Sequence, residues 1–425
     1  MNILSLVLFY LIYISCIILL KNEFGDFVKI IVVGGGISGC LCSIFLARRG
    51  HFVTVIEKLN RPLKKMLATG NGRCNLTNLN MDSKFIMSEN NFSDYAISKF
   101  NEIDFINFLK TIGLYTTIDN GTRVYPKSLK STNVVNLILE EMNSLGVKII
   151  VDSKVVKILK DKNFKIFTND DIYESDVVIF AAGGASSPMF GTDGSSFKIL
   201  KDLGHKVTKL SPSLTQVRLD SKYLKHLSGV KVVGKCELFL NNELIDSKYG
   251  EFLFTDYGIS GPPILDLSRT VGKNNDGVLK LRVPIINKLD LDSILDDLYS
   301  FYYSMGYFSL EKFLLGFVDK KFIYYVCDLL NLEKDNALNS ISENKFKKLV
   351  DVLINSEFLV VSTNGFKTSQ VTCGGIDTNF VNNMTMESKI IDGLYIIGEA
   401  LDVDGICGGY NIQWAASSAF LASIL

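Results

Sequence analysis

The stretch Val28-Lys-Ile-Ile-Val-Val33-Gly34-Gly-Gly36-Ile-Ser-Gly39, with an acid following at Glu57, decides the fold. Val28 to Val33 is a short apolar, β-branched run, the pattern of a buried parallel strand. The residues after Gly39 repeat apolar side chains at helical spacing as far as Arg49, and His51 to Ile56 reads as a second strand. The unit is therefore strand, GxGxxG, helix, strand and acid within about thirty residues, the dinucleotide fingerprint. Each residue type has a physical reason. Gly34 permits the tight turn, Gly36 lets backbone approach a pyrophosphate, and Gly39 lets the helix pack closely on the sheet. The helix start offers free N–H groups and partial positive charge to phosphates. Glu57, eighteen residues after Gly39, can accept hydrogen bonds from an adenosine ribose and would repel a 2′-phosphate. The fingerprint alone does not distinguish FAD from NAD.

Outward from this unit, Lys64 to Asn78 contains Thr69-Gly-Asn-Gly-Arg73-Cys74-Asn75-Leu-Thr77-Asn78. It reads as a loop whose backbone can approach a ligand and whose single guanidinium can pair with a phosphate. Asp176-Val-Val-Ile-Phe-Ala-Ala182-Gly183-Gly184 reads as another buried strand ending in glycines. Gly393-Leu-Tyr-Ile-Ile-Gly398-Glu399-Ala-Leu-Asp402 reads as a strand ending in acids, which can hold a polyol chain. Gly408-Gly409-Tyr-Asn411-Ile-Gln413 then opens a final helix whose free N–H groups suit an electron-rich ring edge.

These residues, with Gly121-Thr-Arg-Val-Tyr-Pro-Lys, Gly250 to Pro262, Val371-Thr-Cys-Gly-Gly-Ile376 and Thr385 to Lys389, carry a resemblance. From about Lys29 to the C-terminus the chain resembles the bacterial NAD(P)/FAD-dependent oxidoreductases. That family includes bile-acid-pathway reductases and ribosomal-RNA dihydrouridine synthases. Departures are small: Ala182 stands where Thr is usual, and Asn71 where Gly is common. The resemblance implies an α/β fold with a Rossmann-like FAD-binding domain of glutathione-reductase type. It implies FAD, with Glu57 on the adenosine ribose and Arg73 near the pyrophosphate. Glu399 and Asp402 would lie by the ribityl chain, and Gly408 to Asn411 near the flavin pyrimidine edge. Gly34, Gly36, Gly39, Asn75, Gly183, Gly398 and Gly409 complete the expected cofactor-binding set.

From about Pro212 the helix–strand alternation stops. Thr215–Leu219, Val230–Leu240, Glu251–Thr255 and Gly277–Pro284 read as strands, with Asn241-Asn242 as a turn. Asp290–Ser304, Lys320–Leu330 and Asn344–Ile354 read as helices. The expected organisation is a nucleotide domain in two parts, 28–205 and 367–425, interrupted by an insert at 206–366. The insert divides into a β-rich part, 206–286, and a helical part, 287–357; the resemblance implies that it roofs the flavin face.

The chain has 425 residues, 28 of them Phe and 17 Tyr, a composition that excludes intrinsic disorder. Its 45 basic and 45 acidic side chains argue against coating nucleic acid through overall charge. The average hides one basic segment: Lys198, Lys201, Lys206, Lys209, Arg218, Lys222, Lys225, Lys231 and Lys235 face only Asp202 and Asp220. A solvated face is the default for such a run; a ribosomal-RNA footprint is the alternative. The eight Cys include no CxxC, and three His leave little for a metal site, so no metal is expected. Unpaired Cys spacing points to a reducing, cytoplasmic compartment.

The apolar run Ile3–Leu20 reaches the lower limit for a membrane span. It lacks the flanks of a secretory signal. Residues 1–27 read equally as an anchor, giving weak membrane association, or as translation from a start placed too early.

The function expected is that of an FAD-dependent oxidoreductase, re-reduced by NAD(P)H binding transiently, that reduces a C=C or related bond. A small molecule and ribosomal RNA, through uridine reduction to dihydrouridine, are the two substrate classes. A flavin-binding protein without turnover is the non-enzymatic alternative. No catalytic residue is assigned. Asp256, Tyr257 and Ser260 read equally as proton donors and as turn formers, Cys74 as a small buried thiol, and His205 as a partner of a helix C-terminus.

Overall fold

The computed structural model describes residues 27–425 apart from 120, 275 and 289. The run Ile3–Leu20 lies outside the described residues, so the anchor and start-site readings are not addressed by them. Among the described residues no helix is long and apolar enough to cross a membrane.

The chain forms two compact units, one of residues up to Leu210 together with Thr372–Leu425, the other of Ser211–Val371. The first is built on a five-stranded sheet ordered Leu394–Ile396, Val177–Phe180, Lys29–Val33, Phe52–Ile56, Lys148–Ile150. All four pairings are parallel. Lys29–Val33 is central, with Ile30 aligned between Val177 and Val53, and Ile30 to Val33 are buried. A strand covered on both faces needs apolar side chains on both, hence the unbroken Ile-Ile-Val-Val run. The helices Ile37–Arg48 and Tyr410–Leu421 pack together in this unit, and Trp414 on the second is 1% exposed and donates to the Gly398 carbonyl at 3.1 Å. The expected Rossmann-like architecture is present.

The second unit contains a closed barrel of six strands. Their order is Val217–Asp220, Gly258–Ser260, Glu243–Thr255, Lys231–Leu240, Leu279–Val283, Ser356–Thr363. Closure removes the exposed strand edges that an open antiparallel sheet would carry. Phe252, Phe254 and Phe358 of the barrel strands and Phe322 of the helix Lys320–Leu330 are buried and meet edge to face, with centroids 5.5–5.9 Å apart. Asn241 and Asn242, with φ of 50° and 71°, form the hairpin turn expected of that pair.

The strand Gly258–Ser260 lies where the sequence suggests a loop, the short helices Leu224–Leu227 and Leu310–Leu315 have no counterpart in the sequence expectation, and three further elements of this unit differ from it. The strand expected to begin at Glu251 begins at Glu243: residues 243–249 carry no buried/exposed alternation to signal it and are held by antiparallel pairing with Lys235–Leu240. Pro262–Lys273, quoted only as the end of a motif, is a helix; Pro262 occupies its first turn and Ile264, Leu267 and Val271 its buried face. Ser356–Thr363 was not expected as a strand, since Phe-Leu-Val-Val hides the alternation of buried Phe358 and Val360 with outward Leu359 and Val361. The helices Leu291–Ser304, Lys320–Leu330 and Glu343–Ile354 lie where helical periodicity places them.

Candidate functional site

The glycine turn after Val33 is shaped by two close approaches and one open space. A Cβ on Gly34, whose φ is +106°, would lie 2.5 Å from the Ala181 carbonyl oxygen. One on Gly39 would lie 2.1 Å from the Gly34 carbonyl oxygen, so the helix and the turn meet backbone to backbone. Gly36 is different: it is exposed, and nothing stands within 4 Å of the place a Cβ would occupy. The helix Ile37–Arg48 starts there with no side-chain cap, leaving its first N–H groups facing that space. The strand-end acid Glu57 is buried beside it. One carboxylate oxygen accepts from Gly35 N–H at 2.7 Å and the other from Leu59 N–H at 2.9 Å. Each oxygen keeps a lone pair for a further donor.

A second group of expected residues is brought to the same helix start. A Cβ on Gly398, at φ +66°, would meet Ser38 Oγ at 2.6 Å. Next to it, Glu399 accepts from Thr372 N–H at 2.9 Å and from Lys65 Nζ at 2.8 Å. Asp402 accepts from Gly374 N–H at 3.1 Å. Both acids thus brace the Thr372–Gly374 backbone. Thr372 Oγ1 in turn accepts from Ala185 and Ser186 N–H at 2.8 and 3.0 Å, tying down the turn that begins at Gly183 (φ +73°).

The third group surrounds the start of Tyr410–Leu421. A Cβ on Gly409 would lie 2.6 Å from the Thr77 backbone, and Asn78 Nδ2 donates to the Gly408 carbonyl at 2.9 Å. This helix also begins without a side-chain cap. Asn411 pairs with Gly405 at both ends of its amide, each bond 2.8 Å, and so shapes the turn that precedes the helix. Asn75 Oδ1 is buried and has no hydrogen-bond partner among the described residues. An orphaned acceptor costs free energy unless a ligand or water donates to it.

Arg73 is placed differently from the rest. Its described contacts lead to a neighbouring hairpin: Asp119 at 3.2 Å and the Tyr125 ring, 4.8 Å from the guanidinium carbon. The segment that contains it was expected as a loop; Lys64–Ala68 is instead a short helix, followed by a tight turn through Gly70 and Asn71 at positive φ. Two site residues escaped the sequence reading. Lys65 stood inside the quoted segment but without a partner, and Thr372 inside a quoted motif without a role. A pairing across 334 residues leaves no local signal.

The remaining candidates have plain placements. Cys74 is fully buried, and burial pushes its thiol up to about 12. His205 follows the helix Phe197–Asp202; its ring contacts the Leu200 carbonyl at 3.3 Å and Ser388 Oγ at 2.9 Å. Tyr257 lies under the Arg218 guanidinium at 5.6 Å, and Arg218 donates to Asn364 at 3.2 Å. The basic segment is divided between the two units. Lys198, Lys206, Lys231 and Lys235 pair with Asp202, Asp377, Glu251 and Glu237, as an ordinary solvated face does.

An open, uncapped glycine turn, a buried acid at the second strand end and an orphaned amide acceptor fit a long ligand with phosphates and a hydrogen-bonding ring. Residues 28–424 match the family described as HI0933-like protein Rossmann domain. The chain belongs to this family. It is 32% identical over 400 residues to the 3-dehydro-bile acid delta(4,6)-reductase of Clostridium scindens, covering 93% of this chain and 98% of that one. It is 30% identical over 403 residues to the ribosomal RNA dihydrouridine synthase of Haemophilus influenzae, covering 93% and 97%. Among solved structures, the 3-ketosteroid-delta4-(5alpha)-dehydrogenase of Rhodococcus jostii RHA1 aligns with a TM-score of 0.48 at 14% identity, covering 94% and 97%. This member of the HI0933-like family is an FAD-dependent oxidoreductase, as the sequence resemblance implies.

Proposed function

We propose that the enzyme is re-reduced by NAD(P)H and reduces a C=C bond conjugated to a carbonyl group. The observation that carries the proposal is the full-length similarity to two relatives whose named reactions share this bond type. A 3-dehydro bile acid with 4,6 unsaturation and the pyrimidine ring of uridine each place a C=C next to a carbonyl. A small steroid-like molecule is the first substrate class, on the higher identity of 32%. Ribosomal RNA is the second, on the relative at 30%.

FAD supplies the two-electron chemistry when bound. The chain's own residues bind and orient it. Gly34, Gly36, Gly39 and the uncapped helix start take the pyrophosphate, with Glu57 on the adenosine ribose. Glu399 and Asp402 hold the ribityl chain, and Gly183, at φ +73°, opens the turn whose next residue, Gly184, has no Cβ to keep it from Thr372. Asn75, Gly408, Gly409 and Asn411 serve the ring edge, while Arg73 adds positive charge from its position against Asp119. With one GxGxxG in the sequence, the nicotinamide donor binds transiently at the flavin rather than in a Rossmann domain of its own. Buried thiols such as Cys40, Cys42 and Cys74 suit a cytoplasmic, reducing setting. Weak membrane association through residues 3–20 is a separate matter, decided by fractionation of the full chain.

The test is stopped-flow bleaching of the flavin absorbance by NADH and by NADPH, followed by reoxidation with a 3-oxo-4,6-diene steroid or with unmodified ribosomal RNA. Rapid bleaching with at least one donor is expected, and its absence would sink the donor proposal. The faster oxidant names the substrate class; failure of both would sink the conjugated-bond proposal. An unchanged dihydrouridine level in ribosomal RNA from a deletion strain would remove the RNA version.

A further inference from the structure

We infer that Lys65 is a positioning residue for FAD, acting by holding Glu399 in the orientation that receives the cofactor. The inference rests on the reading that Glu399 holds the ribityl chain. Lys65 Nζ lies 2.8 Å from Glu399 Oε2, and Thr372 N–H occupies Oε1 at 2.9 Å, so both oxygens are fixed from the protein side. The two side chains are only 26% and 22% exposed, so the pair is partly withdrawn from water and its attraction is stronger than at a surface.

Both partners are anchored on the same glycine turn. Leu63 N–H donates to the Gly35 carbonyl at 2.8 Å, which places the helix Lys64–Ala68, and Lys65 with it, beside the turn. Glu399 follows Gly398, whose missing Cβ is what allows the chain to touch Ser38 on the helix that starts at that turn. The charge balance explains why a cation is needed. Glu57, Glu399 and Asp402 put three carboxylates around a cofactor whose diphosphate is itself anionic. Arg73 is held by Asp119. Among the described residues, Lys65 is the cation paired with one of the three. Without it, Glu399 would be a partly buried, uncompensated charge held by the Thr372 amide alone.

The test follows FAD release from the purified full-length holoprotein on dilution, read by the rise of free-flavin fluorescence, for wild type, K65M, K65Q, K65R, E399Q and K65M/E399Q. Thermal melting of each variant reports folding. Expected are release about tenfold faster in K65M, K65Q and E399Q, near-wild-type release in K65R, and a double variant no faster than E399Q. Wild-type release in K65M and K65Q beside fast release in E399Q would overturn the inference and leave the role of Glu399 standing. Wild-type release in E399Q would remove the ribityl reading itself. Additive effects in the double variant would mean that Lys65 acts on FAD directly, and would overturn its action through Glu399.

Discussion

Glu57 Oε2 accepts the Gly35 amide at 2.7 Å, so the acid at the end of the second strand is wired into the glycine turn at the end of the first. The register makes this possible: Val33 and Ile56 are Cα partners in adjacent parallel strands, and the two chains leave the sheet side by side. One residue therefore fixes the turn's shape and, in the proposed binding mode, would also meet the ligand.

Glu57→Gln keeps the shape of the side chain but turns one of two acceptors into a donor facing an amide. We expect a loss of about 1.5–3 kcal/mol in urea unfolding, since both bonds are made by a charged, buried group. FAD content after gel filtration should fall in parallel. A variant with unchanged stability would mean that the bonds to Gly35 and Leu59 contribute little.

Gly36 and Gly34 should respond oppositely to the same substitution. Gly36→Ala enters open space at an ordinary φ of −74°, so melting should change little, by under about 1 kcal/mol, while FAD is lost. Gly34→Ala puts a Cβ 2.5 Å from a carbonyl oxygen at φ +106° and should cost more than about 3 kcal/mol. Retention of FAD by Gly36→Ala would show that the space is not the pyrophosphate seat.

Cys74 should behave as packing, not as chemistry. With burial raising its thiol to about 12, the thiolate is scarce at any working pH, and a thiol reagent at pH 8 should label it only after unfolding. Cys74→Ala should retain FAD and turnover at a cost of about 1–2 kcal/mol. Loss of turnover in a folded variant would return Cys74 to the candidate list.

His205 gives a pH dependence of stability. Burial lowers its pKa below the ordinary 6.5, against the raising effect of the Leu200 carbonyl. The unfolded chain then binds the proton more readily, so the contribution is whole above pH 6.5 and declines as pH falls below it. Urea midpoints measured from pH 7.5 down to 5.5 should decrease, and His205→Gln should flatten that part of the decline. Identical slopes in the two proteins would exclude His205 as its source.

Much of the site could be read along the chain because its parts are local. The glycine turn, the helix start after Gly36 and the acid at Glu57 each follow from backbone freedom or strand length within a few residues. Gly398 to Asp402 and Gly408 to Asn411 are read the same way, as strand end and helix start. The barrel was harder. Ser356–Thr363 closes it by pairing with Val217–Asp220 and Leu279–Val283, partners that no periodicity in eight residues can name.

Sequence alone determined the strand, the turn and the helix of the dinucleotide unit, because φ above zero, close packing and uncapped amides are properties of single residues and their neighbours. Only the tertiary structure decided which cation meets which acid. Lys65 and Arg73 stand eight residues apart in one segment, yet the fold gives Lys65 to Glu399 and Arg73 to Asp119. Coulomb attraction depends on distance in space, and that distance is set by the packing of the whole unit.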